Sequence, residues 1–182
     1  MEENSTLALR EQEVRKHPDN AHAMLALGKE YLSAERYDDA ARTLRRYLAL
    51  PTALWKEERC HCMERLAVCY TRLGNRTEAE RWHLRSCAEA PQNPSPWTNA
   101  ARFYAEAEAW EMVAALASRA VHILEQTENE QDETLPYALL CLAYCATARS
   151  DKASAVLRRA CTRYPNHADL QNGVQILNRA TQ

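Results

Sequence analysis

Glycine is scarce in this sequence, with three residues in 182, and proline occurs only seven times. A turn-rich β fold needs more of both, so the abundant Ala, Leu, Arg and Glu point to helices. No stretch approaches 18 uninterrupted apolar residues, and nothing reads as a membrane span. The start, Met1-Glu2-Glu3-Asn4, is acidic and polar, with no apolar run of signal-peptide length behind it. Neither sign of charge dominates: 23 Lys and Arg face 25 Asp and Glu, a net −2. No global field therefore recruits nucleic acid or a membrane surface. Seven cysteines, at 60, 62, 69, 87, 141, 145 and 161, form an odd and scattered set. A chain this long buries a core without staples, and free thiols in a reducing cytoplasm are expected.

What is present is a repeat. Met24, Leu27, Gly28, Tyr31, Ala40 and Leu44 stand at the same offsets as Met63, Leu66, Ala67, Tyr70, Ala79 and His83. Trp97, Ala100, Ala101, Tyr104, Val113 and Ala117 make a third set, and Tyr137, Leu140, Cys141, Tyr144, Ala153 and Leu157 a fourth. Each unit has a small residue at offset 8, tyrosine at 11, and a small residue or valine at 20. Offset 27 is small in three units (Ser86, Ala120, Ala160) and tyrosine in the first, Tyr47. Pro91 and Pro165 close their units at offset 32.

Such an order suits two helices that cross closely. Small residues at offsets 8 and 20 let the backbones approach, and the tyrosine fills the space between successive hairpins. Asn75 or Asp151 is placed to support a turn or cap a second helix, and the closing prolines stop it. The pattern resembles the tetratricopeptide repeat (TPR), a 34-residue helix-turn-helix unit. That resemblance implies an all-α, right-handed superhelix over residues 1–182 as one domain. Four repeats fall at about 21–54, 60–93, 94–127 and 134–167, with insertions "PTALWKEE" and "QTENEQDE". An N-terminal helix from Thr6 to Lys16 and a capping helix at about 168–180, carrying Leu170, Val174 and Leu177, bring the expected helices to ten.

The insertions with their flanks, "YLALPTALWKEER" and "LPYALLCLAYC" among them, resemble the repeat tail of certain bacterial family 2 glycosyltransferases. The catalytic half of such enzymes carries an Asp-x-Asp metal motif on an α/β domain. This chain has neither βα alternation nor an Asp-x-Asp, so the resemblance carries over no catalytic residue and implies a non-catalytic tail. A free-standing cytoplasmic adaptor of the same fold is the alternative, and a thiol-dependent enzyme a remoter one.

Reactive chemistry has little support. In "CHC" at 60–62 the two thiols point about 200° apart on a helix and cannot share an ion. Cys141 and Cys145 do share a face, explained as a packing and a groove position. A nucleophile could pair Cys62 or Cys69 with His61 or His83, but no third group orients a base, and His83 sits at a core offset. No cofactor and no metal are expected. The acidic run Glu128 to Glu133 reads as a solvated loop or a docking point for a basic partner or ion. Trp55 and Trp110 read as packing residues or exposed anchors near loops.

In the resembling family the first helices line a concave groove. The corresponding residues here are His22 and Lys29, then His61, Glu64, Arg65 and Arg72, then Thr98, Asn99, Arg102 and Glu106. Four fixed positive charges meet two negative ones, which suits a carboxylate or extended peptide. Leu25, Lys29 and Arg65 stand where the carboxylate clamp of some relatives wants Lys, Asn and Asn, so that clamp is not expected. In the fourth repeat Leu135, Leu139 and Leu142 make the inner face apolar, either covered or a docking site. The expected partner is a protein or peptide, with a homodimer possible.

Overall fold

The computed structural model describes residues 2–51, 56–127, 133–167 and 170. Nine α-helices are present among the described residues, with no strand. They are α1 (Glu2–Lys16), α2 (Ala21–Ser33), α3 (Tyr37–Ala49), α4 (Lys56–Arg72), α5 (Arg76–Glu89), α6 (Pro94–Ala105), α7 (Trp110–Gln126), α8 (Leu135–Ala146) and α9 (Ser150–Arg163). The expected capping helix, Trp55 and most of the acidic run lie outside the described residues, although Leu170 is buried. The helices form two compact units, Met1–Pro91 and Gln92–Gln182. In the first, α2 packs against α1 and α3, and α4 against α3 and α5. In the second, α8 packs against α6, α7 and α9, and α6 against α7.

Helix ends follow from local chemistry. Asn20, Asn75 and Asn93 cap α2, α5 and α6, their side chains accepting the N–H of Ala23, Glu78 and Ser95. Asp151 instead lies inside the first turn of α9, whose N-cap is Arg149 with no side-chain bond. There a carboxylate acts on the helix dipole rather than as a cap. Pro18, Pro51, Pro91 and Pro165 each stand two residues beyond the last residue of α1, α3, α5 and α9.

The four turns inside the hairpins share one backbone device. Glu35, Gly74, Glu108 and Ala148 occupy the same repeat offset, with φ of 55°, 72°, 53° and 56°. The N–H of the next residue donates to the carbonyl of the repeat's tyrosine: Arg36 to Tyr31 at 2.8 Å, Asn75 to Tyr70 at 2.9 Å, Ala109 to Tyr104 at 3.1 Å, Arg149 to Tyr144 at 2.8 Å. This is a Schellman closure, which needs a left-handed residue and usually takes glycine. Only the second repeat uses one.

Packing follows the small–large order. Ala40, Ala67, Ala79, Ala101, Val113 and Ala153 are fully buried. Tyr31 and Tyr104 are buried as well, whereas Tyr70 and Tyr144 are half-buried. Tyr47, large where the other repeats are small, is 1% exposed and donates its hydroxyl to Glu58 of α4 at 3.5 Å. Burial and that carboxylate raise its pKa to about 12.

Candidate interaction surfaces

In the first unit, α2 and α4 carry the predicted groove residues on their outer faces. His22, Lys29, His61 and Arg72 are exposed, and Glu64 and Arg65 half-buried. His61 Nδ1 and the Glu64 carboxylate are 3.0 Å apart. No ion pair holds Lys29, Arg65 or Arg72 among the described residues. Thr71 bonds back to the Ala67 carbonyl at 2.9 Å, and Leu25, at a nominal groove offset, is buried.

The second unit presents a different face. Arg102 and Glu106 are exposed and Asn99 half-buried on α6. Thr98 is turned inward at 7% exposure, its hydroxyl donating to the Pro94 carbonyl one turn back at 2.9 Å. A threonine so engaged offers little to a ligand. On α8, Leu135 and Leu142 are 45% and 49% exposed, while Leu139 is buried at 7%.

The thiols point into the packing. Cys60 Sγ donates to the Ser86 carbonyl on α5 at 3.7 Å, and Cys62 Sγ to the Leu44 carbonyl on α3 at 3.5 Å. The two sulfurs of "CHC" thus go to different helices, with His61 exposed between them. Burial pushes Cys60, Cys62 and Cys87 up to about 12 and Cys69 to about 11. Thiols held protonated this way are poor nucleophiles. Cys145 is exposed on α8, and Trp110 is half-buried at the start of α7. Among the described residues no three His, Cys, Asp or Glu side chains converge to hold a metal ion, and no helix is long and apolar enough to cross a membrane.

A further concavity, not anticipated from sequence, lies where α1 and α3 both pack on α2. It has a volume of about 570 Å³. Tyr31 and Leu27 of α2 line it, with arginines from α1, from the turn before α3 and from α3 itself. Tyr31 donates its hydroxyl to Glu11 at 2.9 Å, and Arg36 lies 4.6 Å from the Tyr31 ring centre while bonding both Glu11 and Asp39. Burial, then the bond to Glu11, raises the Tyr31 pKa to about 12.

Comparison with known proteins bears on the fold. No family model and no curated protein matches the chain. Among solved structures, one of MamA is 16% identical with a TM-score of 0.73, covering 92% of this chain and 91% of that one. YrrB, described as a TPR protein with an unusual peptide-binding site, is 13% identical with a TM-score of 0.67, covering 96% and 84%. The first TPR of Spaghetti (RPAP3) bound to the HSP90 peptide SRMEEVD is 19% identical with a TM-score of 0.53, covering 67% and 94%. At these identities the likeness is one of fold, and the fold is a TPR solenoid.

Proposed function

We propose that this chain is a non-catalytic scaffold that holds a protein or peptide segment on the polar outer faces of its first helices. The observation that carries this reading is the row of cations Lys29, Arg65 and Arg72 in the first unit, none of them ion-paired among the described residues. In the second unit, described by itself, Arg102 is exposed on α6. Guanidinium groups left unpaired at a surface suit carboxylates and the carbonyls of an extended chain. Two of the solved relatives, YrrB and RPAP3, are described with peptide binding, which supports the same reading. The test is selection of peptide ligands from a displayed library, followed by calorimetry. Charge reversal in Arg65→Glu/Arg72→Glu weakens the selected peptides roughly tenfold or more with helical content unchanged. Unaltered affinity in that variant removes the reading.

The finer reading places this scaffold in a bacterial cytoplasm as the tail of a family 2 glycosyltransferase, holding an acceptor protein or organising a homodimer. It rests on the sequence of the two insertions. An immunoblot of source cells decides it: a native band well above 20.8 kDa favours the tail, and a band near 20.8 kDa makes the chain a free-standing adaptor.

A further inference from the structure

We propose that the concavity between α1 and α3 is a second binding site, which takes the carboxylates of an acidic peptide segment from a partner protein. Four arginines, Arg15, Arg36, Arg42 and Arg46, line it against two carboxylates, Glu11 and Asp39. The two carboxylates are already committed. Arg36 bonds both of them, and Arg42 reaches Asp39 at 3.3 Å. That leaves Arg15 and Arg46 exposed and without an ion-pair partner among the described residues, on opposite helices of one cavity. A pair of guanidinium forks facing a shared space is the donor set for a carboxylate.

The lining also contains a polar group that the fold itself does not use. Thr43 is 8% exposed on α3 and has no hydrogen-bond partner among the described residues. Its hydroxyl is not cut off from solvent, so water satisfies it in the free chain and a ligand oxygen or amide in the cavity can replace that water.

The second unit supplies an internal comparison. At the same repeat offsets, α7, α8 and α9 enclose a cavity of about 250 Å³ over Leu140 and Tyr144. There Arg159 stands where Arg46 does, but it is bound by Glu125. Ala155 and Val156 replace Arg42 and Thr43. Niches of this kind therefore come with the repeat. The second also holds Lys152, 5.8 Å from the Tyr144 ring centre. The first differs in placing two arginines without ion-pair partners among the described residues, Arg15 and Arg46, on facing helices. Two uncommitted arginines are too few to follow a nucleic-acid backbone, whose binding depends on many phosphate contacts. A short acidic peptide needs only one or two such contacts, which Arg15 and Arg46 can supply.

The test uses the full chain and a fluorescein-labelled hexaglutamate peptide, followed by anisotropy at low salt. The expected result is saturable binding that Arg15→Glu/Arg46→Glu weakens roughly tenfold or more, and that Thr43→Val weakens by a smaller factor at unchanged helical content. Arg81→Glu/Arg85→Glu, an equal charge change at exposed positions of α5 outside both surfaces, leaves this binding within about twofold of the wild type. The absence of saturable binding overturns the proposal, as does equal weakening by both double variants, which would report only general charge attraction. A labelled oligothymidylate that binds more tightly than the peptide and is lost in Arg15→Glu/Arg46→Glu also overturns it. The groove reading stands or falls separately, on its own selected peptides and the Arg65→Glu/Arg72→Glu variant.

Discussion

A Cβ placed on Gly28 would lie 2.6 Å from Cδ2 and 2.9 Å from Cγ of Leu44, so α2 and α3 touch where the first residue has no side chain. Leu44 is fully buried and has little room to retreat. Gly28→Ala is therefore expected to cost ~1–3 kcal/mol through overpacking. Adding Leu44→Ala should recover part of that loss, so the double variant is less destabilised than the sum of the singles. Urea denaturation of the four proteins measures the coupling, and strict additivity would contradict the contact.

The left-handed turns predict the opposite sign. Glu108 and Ala148 hold φ values of 53° and 56°, which a side chain disfavours. Replacing either with glycine removes that strain at the cost of a more flexible unfolded chain, for a net gain of ~0.5–1 kcal/mol. Gly74→Ala in the equivalent turn should lose about 1 kcal/mol. Thermal melts of the three variants check the signs.

Ala153 is fully buried, and the Cys141 thiol donates to its carbonyl at 3.5 Å. A tryptophan there must push α8 and α9 apart. Ala153→Trp should destabilise the chain by ~1–3 kcal/mol, and a melt matching the wild type would contradict this register.

The thiols set a pH dependence. Cys60, Cys62 and Cys87 ionise near 9.0 when free and at about 12 in the fold, because burial disfavours the thiolate. Between those values the folded chain binds more protons than the unfolded one. Stability is therefore complete below about pH 9 and falls as pH rises toward 12. Denaturation midpoints across that range test the slope. Timed iodoacetamide labelling with mass spectrometry gives a second check: Cys145 should react first, and these three only on unfolding.

Much of the fold was legible because it is written in single-helix chemistry. The small residues at offsets 8 and 20 announced the close crossings, and Pro91 and Pro165 marked the ends of α5 and α9. His83 was placed in the core by its offset and is 6% exposed. The shared left-handed turn was not legible, because three of its four positions hold glutamate or alanine. Closure bonds to the tyrosine carbonyls impose that conformation, and no residue preference announces it.

Candidate sites were legible only in part. Helical periodicity advances about 100° per residue, so sequence assigns a side chain to a face. Whether a neighbouring helix covers that face depends on packing. Thr98 and Leu139 were assigned outward and lie inward, each 7% exposed.

By itself the sequence determined the helices and their pairing into repeats, because each depends on residue type at a fixed local spacing. Only the tertiary structure decided that Arg15 of α1 and Arg46 of α3 share one cavity over Tyr31. They are distant in the chain and meet because both helices pack on α2, a contact set by the fit of side chains across helices and carried by no local pattern.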